Sequence, residues 1–104
     1  MRVLSFLVKG QRIIQKPGCD FSGLVRGSKG YLTANFEFDS DWDQCIKIAS
    51  FFDAKGNEVA MALNGNECEI PAEALKDHVF YVSVIGKKNG YKITTNKCPV
   101  RQGG

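Results

Sequence analysis

Three aspartates at alternate positions form the most suggestive chemical pattern in the chain. Asp39, Asp41 and Asp43 have the spacing of the first three ligands of a calcium-binding loop. Such a loop also needs glycine at its sixth position and a bidentate glutamate at its twelfth, where this chain has Gln44 and Ser50. The pattern therefore favours an acidic surface turn whose first side chains accept hydrogen bonds from free backbone N–H groups. We expect no metal at this turn.

Catalytic chemistry has little support in the residue types. His78 is the only histidine, and no serine, cysteine or aspartate stands at a spacing that argues for a nucleophile and its base. An ordinary surface position next to Asp77 is the favoured interpretation of this histidine. The sequence therefore predicts a non-enzymatic protein with no catalytic residues and no cofactor.

Two aromatic residues allow an alternative function, which is carbohydrate binding. Tyr31 and Trp42 are candidates for a flat sugar platform, with Asp41 as a hydrogen-bonding partner for sugar hydroxyls. The favoured interpretation is that Trp42 instead folds its ring over one end of the domain. A glycan partner is therefore kept as the second hypothesis.

Four cysteines are present, and they form no Cys-x-x-Cys pair, which argues against a zinc ribbon. The run from Val3 to Val8 is too short for the apolar core of a secretion signal. We therefore expect reduced, mostly buried thiols at Cys19, Cys45, Cys68 and Cys98. No apolar stretch is long enough to cross a membrane, so no membrane association is expected.

The net charge of +3 is modest, and the basic residues are scattered. The densest group occurs late in the chain, at Lys87, Lys88, Lys92, Lys97 and Arg101. Nucleic-acid-binding domains usually show a stronger, one-sided basic surface with interleaved aromatic residues. Nucleic acid is therefore not an expected partner.

The elements that must position these residues are short strands. Residues 31–38 and 80–85 alternate apolar and polar side chains, and 45–52 is apolar on both faces, typical of a central or covered strand. Turn sequences at 54–57, 64–65 and 87–90 separate these runs. The pattern predicts an all-β, Ig-like antiparallel β-sandwich of about seven or eight strands, with one short helix near residues 71–77.

The chain of 104 residues has the size of one domain. We expect a single sandwich over residues 1–101 and a flexible tail at 102–104. Residues 2–8 and 11–16 are predicted to form the first hairpin, and 18–30 a loop anchored by Phe21 and Leu24.

Six segments carry a resemblance to a known family. They are Lys16–Ser22, Gly27–Leu32, Phe36–Trp42, Ile48–Asp53, Cys68–Leu75 and Gly90–Asn96. Together they resemble small phage and prophage structural proteins of Firmicutes and gut bacteria, in which a similar module looks like the N-terminal β-sandwich of tail, baseplate or fibre proteins. The resemblance implies a structural role in the virion, assembled in the host cytoplasm, and it implies no catalytic residues.

The leading hypothesis is therefore a virion structural or adaptor protein that docks to other virion proteins, or to copies of itself, in a symmetric assembly. An exposed edge of the first hairpin would serve as a template for an added strand. The candidate contact residues are Val3, Ser5, Leu7, Arg12 and Ile14. A third hypothesis is an intracellular phage accessory protein that inhibits a host factor.

Overall fold

The computed structural model describes all residues from 1 to 104 and contains nine strands in two sheets. The strands are β1 (Arg2–Lys9), β2 (Arg12–Gln15), β3 (Leu32–Phe38), β4 (Ile46–Phe52), β5 (Glu58–Ala62), β6 (Glu67–Glu69), β7 (Val79–Lys88), β8 (Tyr91–Thr94) and β9 (Cys98–Arg101). Single 3₁₀ turns lie at Ser40–Trp42 and Ala72–Ala74. The predicted all-β sandwich class is confirmed.

The first sheet has the strand order β2-β1-β3-β6. Its β1–β2 hairpin turns at Gly10, whose positive φ of 54° suits a residue without a side chain. β1 and β3 pair in parallel, with Leu4 opposite Ala34, which corrects the purely antiparallel prediction. The cause is the long connection over residues 16–31, which crosses to the other side of β1 and lets the chain re-enter in the same direction.

The second sheet has the order β5-β4-β7, and β8 and β9 share the far side of β7. β8 pairs with Ile85–Lys88, and β9 pairs with Val79–Val82. Residues 95–97 lie between them and interrupt what would otherwise be one long edge strand. The second sheet is therefore four strands wide, like the first.

The core fills the space between the two sheets with alternate residues of each strand. Phe6 and Phe36 stack at 5.4 Å between ring centroids, and Phe21 from the long connection meets Phe6 edge-on, also at 5.4 Å. Leu24 is buried and Phe21 is partly buried against the same core, so both predicted anchors of this loop are confirmed. Each such side chain contributes roughly 1.5–3 kcal/mol through the area that it removes from water.

The segment predicted as a short helix contains one 3₁₀ turn, Ala72–Ala74, after an extended Pro71. No side chain caps its start, and Ala74 and Leu75 point into the core. Burial of these apolar side chains, rather than helix propensity, holds the segment in place.

The three last residues are not a loose tail. Gln102 is buried, its backbone N–H donates to the carbonyl of His78 at 2.7 Å, and its amide donates to the carbonyl of Asp77 at 3.0 Å. The N–H of Gly103 donates to the carbonyl of Leu24 at 2.6 Å. The predicted boundary at residue 101 is therefore corrected, because the chain end closes the sandwich over the loop at 23–26.

Candidate functional site

The acidic turn after β3 uses its carboxylates to hold backbone. The carboxylate of Asp39 accepts from Gly10 N–H at 2.9 Å and from Asp41 N–H at 3.2 Å. Gln44, at the position where a calcium loop needs glycine, has a left-handed φ of 64°. No three His, Cys, Asp or Glu side chains converge as a metal site would require. Asp39 is thus a structural cap that ties the turn to the β1–β2 hairpin.

The aromatic residues proposed for sugar binding are not brought together. Trp42 is 0% exposed, and its indole N–H donates to the carbonyl of Gly10 at 2.8 Å. Tyr31 is 49% exposed but precedes β3, whereas Trp42 follows its far end, so roughly 20 Å of strand separates them. Asp41 is exposed, and its backbone carbonyl accepts from the hydroxyl of Tyr91 at 2.9 Å. The predicted platform of Tyr31, Asp41 and Trp42 is therefore wrong.

Of the three residues predicted for sugar binding, only Tyr31 lines a cavity. This shallow cavity of about 240 Å³ is also lined by Arg2 and Ser28. The guanidinium of Arg2 already forms hydrogen bonds within the chain, because it donates to the backbone carbonyls of Asp20 at 3.0 Å and Ser22 at 2.7 Å. The cavity therefore offers one aromatic face without a free charged group beside it.

All four cysteines are free thiols. Burial raises the pKa of Cys68 to about 12 and also raises the pKa of Cys98. These two thiols stay protonated at neutral pH, and the thiolate is the reactive form. They act as core side chains.

The five residues predicted for partner contact share one surface. Val3, Ser5 and Leu7 of β1 and Arg12 and Ile14 of β2 alternate with the buried residues of their strands, so they lie on the outer face of the first sheet.

An ion pair makes this outer face polar. Lys16, directly after β2, and Glu37 of β3 approach to 2.7 Å, although β1 lies between these two strands. The hydrogen bond and charge of Lys16 lower the pKa of Glu37. Exposed Val3 and half-buried Leu7 and Ile14 lie on the same face beside this ion pair.

The edge of β2, predicted as a template for an added strand, is sealed. The side-chain oxygen of Asn96 accepts from Ile13 N–H at 2.9 Å, and its NH₂ group donates to Ile13 C=O at 3.3 Å. The backbone N–H of Asn96 also donates to the carbonyl of Gln11 at 3.1 Å. Strand addition at the first hairpin is therefore excluded, because these groups are already bonded to the second sheet's loop.

The outer face of the second sheet carries apolar side chains at both ends of the β4–β7 ladder, and no strand or 3₁₀ turn packs over it. Ile46 is 73% exposed, and Ile48 faces Ile85 across the β4–β7 ladder. We call this surface the isoleucine face, defined by Ile46, Ile48, Phe52, Ala60, Ala62, Tyr81 and Ile85. Ser50 and Ser83, paired on the same face and almost fully buried, separate Ile48 and Ile85 from Phe52 and Tyr81. Apolar side chains grouped on an outer face are typical of an interaction site.

Positive charge lines one side of the isoleucine face. Lys87 and Lys92 stand opposite each other on β7 and β8. The ammonium of Lys97 lies 4.0 Å from the ring centroid of Phe52, in cation–π geometry. On the opposite side, the carboxylate of Glu58 accepts from the hydroxyl of Ser50 at 2.6 Å. The face is therefore apolar around Ile48 and Ile85, crossed by the buried Ser50–Ser83 pair, and basic along β7 and β8.

One signal in the sequence pointed to this surface. The run from Cys45 to Phe52 is apolar on both faces, and the prediction allowed for a covering loop. The structure shows a central strand whose outer side chains, apart from Ile46, are half-buried or buried by neighbouring side chains. Pairing of Ile48 with Ile85 could not be anticipated, since it depends on strand order.

Comparison of the chain with protein-family models, with curated proteins and with solved structures found no significant match. Its two helical turns are each three residues long, so no helix of the structure could span a bilayer.

Proposed function

We propose that the chain is a non-enzymatic docking protein that binds another protein through the isoleucine face. The observation that carries the proposal is the exposure of Ile46 beside Ile48 and Ile85, on a sheet whose other face is fully packed. Burying such side chains against a partner contributes roughly 25 cal/mol for each Å² of apolar surface removed from water.

The partner surface has a definable chemistry. It presents apolar side chains opposite Ile46 and Ile85, and acidic side chains opposite Lys87 and Lys92, because complementary charge speeds encounter and fixes orientation. A flat, preformed sheet face suits a folded partner, since little ordering of either surface is needed.

We further propose that the partner belongs to a phage particle, so that the chain is a virion structural or adaptor protein. The support is the sequence resemblance over six segments, together with a small sandwich that exposes apolar side chains around Ile46. In a symmetric particle a modest contact, repeated in many copies, gains strength through multivalency.

The other two hypotheses differ in their support. Carbohydrate binding has no aromatic platform, since Trp42 is buried and its indole N–H is hydrogen-bonded to the carbonyl of Gly10. Inhibition of a host factor would use the same isoleucine face, and the two roles differ in where the protein is found.

The test measures whether the chain is present in purified phage particles. The chain is tagged in its native bacterium, prophage is induced, and particles are separated from lysate on a density gradient. We expect the tagged chain to sediment with the particles, and Ile46→Asp to remain in the soluble fraction.

Val25→Asp is the matched control, because Val25 is also strongly exposed but lies in the loop before β3. It should sediment like the unmodified chain. If the unmodified chain is absent from particles and found on a host protein, the virion proposal is overturned. Equal sedimentation of Ile46→Asp and Val25→Asp would overturn docking through the isoleucine face.

A further inference from the structure

Three of the four sheet edges are protected against pairing with another strand. The β2 edge is sealed by Asn96, and the edge formed by β8 and β9 is interrupted at residues 95–97 and carries Pro99. β6 has only three residues, and the turn residue Asn64 occupies the N–H and C=O of Glu67. Sealing, interruption and shortness are the devices by which natural sheets avoid joining edge to edge.

The β5 edge has none of these protections. β5 is the terminal strand of its sheet and contains no proline, lysine or bulge. Asp53 N–H donates to Asn57 C=O, and Leu63 N–H donates to Lys47 C=O, on either side of the β4–β5 ladder. Bonding alternates along an antiparallel pair, so the N–H and C=O groups of Glu58, Ala60 and Ala62 point away from β4 and are unpaired.

We infer that β5 pairs antiparallel with β5 of a second copy of this chain, around a two-fold axis at Ala60. In this register Ala60 faces its own equivalent, and Glu58 faces Ala62 of the other copy. Each of these pairs exchanges both backbone hydrogen bonds, so every outward group of the strand finds a partner.

The side chains of β5 fit this register on both faces. On the inner side, half-buried Val59 faces half-buried Met61 of the other copy, so two apolar side chains cover each other. On the outer side, alanine at the axis allows close approach, and no two like charges face each other. The strand is thus complementary to itself on both faces at this register, and for that reason we assign a second copy.

The contact is small. Five paired residues extend about 17 Å, and the area buried stays below the roughly 1,200 Å² of stable specific interfaces. We therefore expect a reversible dimer with a dissociation constant in the micromolar range or weaker. Pairing extends the second sheet across the axis and places two isoleucine faces on one continuous surface. The inference does not depend on what those faces bind.

The test uses the same substitution at two positions on one side of the strand. Ala60→Lys places two ammonium groups opposite each other at the axis, whereas Ala62→Lys places each new ammonium opposite Glu58 of the other copy. Sedimentation velocity of the purified chain, from about 10 µM to about 1 mM, gives the dissociation constants. We expect Ala60→Lys to raise the constant about threefold or more and Ala62→Lys to lower it by a similar factor.

Both alanines are exposed, so neither lysine disturbs the core, and circular dichroism checks the fold of each variant. A chain that stays monomeric up to about 1 mM overturns the inference. So does a dimer that both lysines weaken equally, because that result would place the contact on the isoleucine face. Ile46→Asp should leave the dimer unchanged, which separates this test from that of the docking function.

Discussion

The side-chain amide of Asn96 holds the peptide groups of Ile13 from both directions, accepting from its N–H at 2.9 Å and donating to its C=O at 3.3 Å. Asn96 follows β8 in the second sheet, and Ile13 lies on the edge strand of the first. The Asn96 side chain thus makes the pair of hydrogen bonds that a neighbouring strand would make, and it joins the two sheets along one side of the sandwich.

Asn96→Ala should lower the free energy of unfolding by about 1–3 kcal/mol, because two hydrogen bonds to backbone are lost and Ile13 is left unpaired. Urea unfolding measures the change. Asn89→Ala, at the exposed β7–β8 turn, is the control and should change stability by less than about 0.5 kcal/mol. Equal effects of the two substitutions would show that Asn96 does not join the sheets.

Gly86→Ala should destabilise the fold by about 1–3 kcal/mol through overpacking. A methyl group at this position would lie 2.7 Å from two carbons of the Trp42 ring and 3.1 Å from Ile93. Gly103→Ala is the control, since its new carbon would lie 3.6 Å from the nearest atom. Thermal unfolding of both variants checks the difference, and a Gly86→Ala variant as stable as the control would contradict the close packing of Trp42.

Adjacent phenylalanines of β4 should respond differently to truncation. Phe51 is fully buried between the sheets, so Phe51→Ala should cost about 3–5 kcal/mol. Phe52 lies on the outer face under Lys97, where water can fill the space, and Phe52→Ala should cost at least about 1 kcal/mol less. Chemical denaturation gives both values, and the reverse order would mean that the faces of β4 are misassigned.

Stability should fall as the solution becomes alkaline. The thiol of Cys68 has its pKa raised to about 12 in the folded chain, above the ordinary 9.0 that applies after unfolding. Between these values the folded state holds a proton that the unfolded state releases, so rising pH favours unfolding. Urea midpoints of the unmodified chain and of Cys68→Val at about pH 7.5 and about pH 10.5 isolate this contribution from other titrating groups. We expect a smaller alkaline loss in Cys68→Val, and identical losses would contradict burial of this thiol.

Removal of residues 102–104 should destabilise the fold by about 1–3 kcal/mol, since the hydrogen bonds of Gln102 and Gly103 are lost. Removal of Gly104 alone is the control, and it loses one long hydrogen bond from Arg26 at 3.3 Å. Thermal melts compare the two truncations. If the longer truncation unfolds at the same temperature as the control, residues 102 and 103 contribute nothing to stability.

The sequence predicts the bounds of those strands whose hydrophobic pattern depends only on their own residues. β3 and β4 lie within one residue of the predicted segments, because alternation and turn residues are local properties. Phe21 and Leu24 were recognisable as anchors because they are the large apolar residues of a glycine-rich loop. The break between β8 and β9 has no signal in the sequence, since a short interruption in an edge strand leaves the alternation on either side unchanged.

The sites were harder to predict because they depend on which strands become neighbours. The parallel pairing of β1 with β3 follows from the path of residues 16–31, and no local pattern specifies that path. The same holds for Asn96, whose partner Ile13 is 83 residues away. Tyr31 and Trp42 are the aromatic types that a sugar platform requires, but β3 separates them.

A domain with a single open strand edge can pair with only one other copy through its strands. Growth through β5 stops when two copies have met, because neither copy has a second edge to offer. Loss of the Asn96 bonds at Ile13 would raise that number to two, and chains joined alternately through β5–β5 and β2–β2 contacts would then be able to polymerise. The asymmetry between sealed and open edges thus sets the limit of self-assembly.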